Sequence, residues 1–300
     1  MSHLFDLPLE ILINITEFLS TKDILDLSIC SRHFYDLLSF VKFNEKMIFK
    51  DIFKLSYFDS FTNVVYCESG NLFPKSLKIL FWWNNDHLPS LLPDSLKSLN
   101  LGHYYNHSLP QLPHSLESLD LGWRYDKPLP QLPNSLKRLY LGNNYNQPLS
   151  RLPNSLENFY LGNNYNQYLP QLPDSLKSLH LSSYYDRLLP QLPNSLESLR
   201  LGWYYNQPIS QLPHSLKSLR LSGYYNQLLP QLPDSLESLH LGNDYDQLLP
   251  QLPNSLISLV LGWYYNQPLP QLPNSLTYLK VWKKHRLPTL SSHVTIEFFD

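Results

Sequence analysis

The chain has 300 residues, 43% of them hydrophobic, and a formal net charge of −2. That is enough apolar material for a sizeable core, and so balanced a charge gives no general pull toward nucleic acid or an anionic membrane. The only cysteines, Cys30 and Cys67, lie at no metal-binding spacing, which argues against a disulfide framework or a zinc site and fits a reducing compartment, cytoplasm or nucleus.

In chain order, the first segment is helical. Asp6 and Glu10 interrupt its apolar run, so it is not read as a secretion signal, and no later stretch approaches a membrane span. Leu7-Pro8-Leu9-Glu10 opens a helix with proline in the first turn, and Ile11, Leu12, Ile15, Phe18 and Leu19 follow at helical spacing. Ser20 or Thr21 caps a second helix carrying Ile24, Leu25 and Leu27, with Asp23 at its start. Ser31 begins a third with Phe34, Leu37, Leu38 and Val41, and Asn44 through Phe49 is expected to continue helically. Helices within residues 1–50 are too small to be stable alone and should dock on the rest or on a partner. Residues 51–73 read as a packed connector, rich in Phe53, Tyr57, Phe58, Phe61 and Tyr66.

From there the chain repeats. Residues 74–92 are a degenerate first turn, residues 93–281 hold ten 20-residue repeats, and residues 282–300 form a cap with a closing strand near Val294 to Phe298. The unit is Leu-Pro-x-Ser-Leu-x-x-Leu-x-Leu-Gly-x-x-Tyr-Asn-Gln-Pro-Leu. A fixed period of this kind means stacked turns, none of which can fold without neighbours. The Leu119-x-Leu121 alternation predicts a short strand, and equivalent strands should pair in parallel about 4.8 Å apart. Gly122 and its equivalents suit a bend, with Ser182 and Ser222 as tolerated replacements. The tyrosine of each Tyr-Asn or Tyr-Asp step should stack on its neighbours, and the Asn or Asp should bond backbone groups of the adjacent turn. The proline-rich return legs should run extended.

Two columns of side chains follow from this register. Lys97, Glu117, Lys137, Glu157, Lys177, Glu197, Lys217 and Glu237 alternate in sign, which favours in-register stacking, although duplication of a two-turn unit would produce the same alternation. On the strand face, a variable column runs Asn100, Asp120, Tyr140, Tyr160, His180, Arg200, Arg220, His240, Val260, Lys280, beside a column of small serines. Arg200 and Arg220 with His180 and His240 form a local basic strip suited to a carboxylate or phosphate, and Tyr140 and Tyr160 adjoin it. Trp123, Trp203 and Trp263 stand just past the strands and could widen the surface. His103, His107 and His114 lie on different edges of one turn, and His180 and His240 are roughly 14 Å apart, so no metal is expected.

The repeat resembles leucine-rich repeats, and most closely the FNIP repeat, as in Leu192 through Pro208. That resemblance implies a curved solenoid with a strand-lined concave face. The N-terminal residues Leu7-Pro8-x-Glu10-Ile11-Leu12, Ile15, Phe18-Leu19, Asp23-Ile24-Leu25, Leu27-Ser28 and Cys30-x-Arg32-x-Phe34 resemble the F-box, with Phe34 where tryptophan is common. The fold class expected is therefore all-α F-box-like helices followed by a leucine-rich-repeat-like solenoid of short parallel strands. The F-box resemblance implies docking to a Skp-type adaptor of a cullin–RING ubiquitin ligase through Leu7, Pro8, Ile11, Leu12 and Leu25. The combination resembles proteins of amoebae and of the giant viruses that infect them, and a viral source would imply diversion of host ubiquitination.

Two functions are compared with an enzyme. One is a substrate-recognition adaptor whose strand face, through Tyr140, Tyr160, His180, Arg200, Arg220 and His240, holds a protein with an acidic or phosphorylated segment. The other is a scaffold whose helices only cap the solenoid. No nucleophile elbow, phosphate loop or metal motif is present, neither cysteine stands in a reactive setting, and no cofactor is implied.

Overall fold

The computed structural model describes residues 19–20, 23–24, 43, 46–52, 54–55, 58–66, 73–83, 85–282 and 293–299. Most of the expected N-terminal helices lie outside these residues. At the expected start of the second, the Ser20 hydroxyl donates to Asp23 Oδ2 at 2.6 Å and accepts from the Asp23 N–H at 3.2 Å.

The described chain forms one parallel sheet of fourteen strands, stacked in sequence order without a crossover. It starts with β1 (Met47–Ile48), β2 (Asn63–Tyr66) and β3 (Ile79–Trp82), and ends with β13 (Tyr278–Trp282) and β14 (Thr295–Phe299). Between them, strands of three residues recur every twenty, from β4 (Ser98–Asn100) to β12 (Ser258–Val260). Register follows the period: Leu119 pairs with Leu139 and Leu219 with Leu239.

The stack begins earlier than the repeat pattern suggests. Residues 47 and 48, expected to be helical, are a strand paired with Val64 and Val65, followed by a helical turn at Phe49–Ile52. Pairing with β-branched residues on a sheet edge outweighs a weak local helical preference. Phe49, Tyr66 and Trp82 stack over this end at 4.3 and 5.3 Å, with Phe73 edge-on to Tyr66.

Each letter of the motif has a physical role. The proline opens a tight turn closed by the leucine three residues on, as Leu116 N–H donates to the Pro113 carbonyl at 3.1 Å. The serine hydroxyl donates backward to the preceding turn, Ser115 to the Leu96 carbonyl and Ser275 to the Leu256 carbonyl, both at 2.7 Å. Leu116, Leu119 and Leu121 fill the core. Behind them the tyrosines from Tyr105 to Tyr265 are buried in one continuous stack. Their planes lie within 8° and their centroids 6.1–6.3 Å apart.

That spacing sets the curvature. Equivalent points of successive turns are separated by the local rise, which is about 4.8 Å at hydrogen-bonded strands. The larger tyrosine spacing means that the turns fan apart away from the strands, so the strand face is concave.

The glycine after each strand answers mainly to close approach. Among the described glycines, only Gly102 and Gly122 have positive φ. At Gly202 and Gly242, a Cβ would stand 1.5 Å from the carbonyl oxygens of Ser182 and Ser222. The two serines are not mere tolerated replacements: both are buried, and their hydroxyls donate to the Tyr165 and Tyr205 carbonyls at 2.5 and 2.7 Å.

Candidate functional site

In every central strand the middle residue points into the core and its two neighbours point onto the concave face. The variable column is therefore a physical row. Tyr140 pairs with Tyr160, Tyr160 with His180, His180 with Arg200, Arg200 with Arg220, and Arg220 with His240.

The row changes character along its length. At one end Asn100 Nδ2 donates to Asp120 Oδ2 at 2.7 Å, and both side chains accept backbone N–H groups, so this part is internally satisfied. Tyr140 and Tyr160 then stack at 4.5 Å, and His180 meets Tyr160 edge-on, also at 4.5 Å. Arg200 and Arg220 follow, both exposed, and neither has an ion-pair partner among the described residues. The neighbouring charge column differs: Glu117 bridges Lys97 and Lys137, Glu157 pairs with Lys177, and Glu197 with Lys217.

A groove of about 330 Å³ opens over Tyr160, His180, Arg200, Arg220 and His240, with Trp203 on its wall. Tyr140 lies behind Tyr160 rather than in the groove. Burial, aided by Arg200, lowers the His180 pKa, and burial with Arg220, Arg200 and Lys280 pushes His240 down to about 4. Both imidazoles are therefore neutral near pH 7. The strip expected to be basic over four residues carries its charge on the two guanidinium groups alone, because histidines beside arginines on a half-buried face resist protonation.

The three tryptophans separate. Trp203 borders the groove, Trp123 lies near His103, and Trp263 packs on Trp282 and Phe299. His107 packs on His87 and bonds the Asn85 carbonyl. Leu7, Pro8, Ile11, Leu12 and Leu25 lie outside the described residues.

One feature of the surface escaped the sequence reading. The first tyrosine of each Tyr-Tyr pair faces solvent, and Tyr184, Tyr204 and Tyr224 stack in an exposed ridge at 5.1 Å intervals. Trp203 meets Tyr224 edge-on at 6.1 Å, linking ridge to groove. The signal was there: three successive turns carry tyrosine where others carry Arg124, Asn144, Asn164 or Asp244.

The FNIP repeat family matches residues 83–124, 125–164, 145–184, 185–224 and 248–281, and the F-box domain matches residues 4–46. Among solved structures, the chain is similar to CroV588, a circular leucine-rich-repeat protein, at 30% identity and a TM-score of 0.62, over 79% of this chain and 43% of that one. It is also similar to YopM from Yersinia enterocolitica WA-314, at 25% identity and a TM-score of 0.52, over 78% of this chain and 61% of that one. The chain thus spans less than two thirds of either neighbour. A comparison with curated proteins finds no match. Among the described residues, no helix is long and apolar enough to cross a membrane.

Proposed function

Because the chain belongs to the FNIP-repeat family and carries an F-box domain ahead of its repeats, we propose that it is the substrate-recognition adaptor of a Skp–cullin–F-box ubiquitin ligase. The F-box docks the Skp-type adaptor through Leu7, Pro8, Ile11, Leu12 and Leu25. The concave face holds a protein substrate at the row Tyr140, Tyr160, His180, Arg200, Arg220, His240. Its contribution is proximity: it raises the effective concentration of substrate lysines near the ubiquitin carrier and performs no bond chemistry itself. It would act in the cytoplasm or nucleus, and in a host cell if the source is viral.

The observation that supports this reading most is an F-box match joined to an array whose concave face leaves two arginines uncompensated. A second reading is a scaffold whose N-terminal segment only caps the stack. It draws on the bridge between Phe43 and Phe61, whose rings stack at 4.8 Å and tie the end of the F-box segment to the solenoid.

Capture of purified Skp-type adaptor by the full chain separates the two. The adaptor reading expects capture by the wild type, and its loss in a Leu7→Ala, Pro8→Ala double variant whose thermal melt is unchanged. No capture by the wild type leaves the scaffold.

A further inference from the structure

Resting on the reading of the concave face as a partner-binding surface, we propose that the groove over Arg200 and Arg220 binds a phosphorylated side chain of the protein partner. The two guanidinium groups clasp a single phosphoryl dianion.

The argument begins with the unpaired charges. Arg200 and Arg220 hold the same register position on neighbouring strands, so their backbones are about 4.8 Å apart. Burial, and then the like charge of Arg200, lower the Arg220 pKa, and no carboxylate among the described residues pairs with either arginine. An anion held between them removes the repulsion. A carboxylate carries one negative charge and so offsets only one of the two guanidinium charges. A phosphoryl group has three free oxygens and about two charges, and so can take a fork from each side.

The flanks fit the same ligand. His180 and His240 line the groove on either side of the arginines and, being neutral, each retains one N–H donor. They leave neutral N–H donors along the groove without adding to the repulsion. Trp203 extends over the next turn, where a Cβ on Gly223 would come within 2.9 Å of the indole. That residue is glycine in this turn alone, while its equivalents in neighbouring turns are Ser183, Trp203 and Asn243. The absence of a side chain at Gly223 leaves room for the indole as the groove wall. Beyond it, the ridge of Tyr184, Tyr204 and Tyr224 offers apolar faces to residues flanking the phosphate.

The test is calorimetric titration of the full chain with three blocked amino acids: N-acetyl-phosphotyrosine amide, N-acetyl-phosphoserine amide and N-acetyl-glutamate amide. The expected result is saturable binding of at least one phosphorylated probe, tenfold or more tighter than the glutamate probe. Arg200→Ala and Arg220→Ala should each weaken it tenfold or more. Arg200→Lys, which keeps the charge but loses the fork, should weaken it measurably. Both arginines are exposed, and unchanged thermal melts identify the effect as local. Preference for phosphotyrosine would place an aromatic ring against Trp203, and preference for phosphoserine a short stem, either supporting the site. Absence of saturable phospho-probe binding, equal affinity for glutamate, or full binding by both alanine variants overturns it. The Skp-type adaptor plays no part in this titration, so failure of the groove and failure of the ligase role are read separately.

Discussion

The backbone N–H of Asp246 donates to Oδ1 of Asn226, one turn earlier, at 3.0 Å, and the Gln247 amide donates to the same oxygen at 3.1 Å. The contact recurs up the array, from Asp126 on Asn106 to Asn266 on Asp246. It supplies an acceptor for an N–H group that a bent connection would otherwise leave unpaired.

Asn226→Ala removes that acceptor on an exposed edge where water can take its place, so it should cost about 0.5–1.5 kcal/mol. Asn226→Asp keeps the oxygen, as Asp126, Asp186 and Asp246 do naturally, and should cost much less. Urea midpoints of the two variants check this, and equal midpoints would remove the ladder from the account of stability.

Gly242→Ala tests close approach between turns. Its Cβ would fall 1.5 Å from the Ser222 carbonyl oxygen, which is backbone and can move only with its strand. The expected loss is about 2–3 kcal/mol, as for overpacked cores. Ser222→Gly, which gives up the hydroxyl bond to the Tyr205 carbonyl, should lose about 1 kcal/mol. Urea midpoints that rank these two the other way would show that the turns have more room than the geometry allows.

His240 makes stability acid-sensitive. Burial first, then Arg220, Arg200 and Lys280, lower its folded pKa to about 4 from the ordinary 6.5. As pH falls below 6.5 the unfolded chain takes up a proton that the folded chain refuses. The contribution is complete above 6.5 and is lost progressively toward 4. Discounted for partial exposure and screening, it is on the order of 1–2 kcal/mol. His180, lowered in the same direction, adds to the slope. Glu117, lowered by its bonds to Lys97 and Lys137, acts in a more acidic window because its ordinary pKa is 4.5. His240→Gln should flatten the stability profile between pH 6.5 and 4.5, measured by thermal melts. An unchanged slope would mean that the imidazole is well solvated.

The stacked core was legible because it is written twenty residues apart. Leu119, Tyr125 and Asp126 each predict their own neighbours once turns are assumed to pile in register, and so does the alternation from Lys97 to Glu237. Met47 and Ile48 were misread because they lie outside the period, and only the exposed pairing edge of Val64 and Val65 shows them as a strand. The backward-donating serines, Ser115 and its equivalents, repeat without exception across the ten turns, yet nothing in one turn shows that the acceptor lies in another. Tyr184, Tyr204 and Tyr224 look like their buried neighbours Tyr185, Tyr205 and Tyr225, and adjacent letters on a bend separate into core and surface only when the bend is folded.

The sequence by itself determined the period, the parallel order of the turns and which residues share a column, since each follows from one letter recurring at a constant interval. Tertiary structure alone decided which tyrosine of each Tyr-Tyr pair faces solvent, how far the turns fan apart, and where charge survives. Those depend on burial and on distances between turns. They leave His180 and His240 neutral and Arg200 and Arg220 as the charged pair of the concave face.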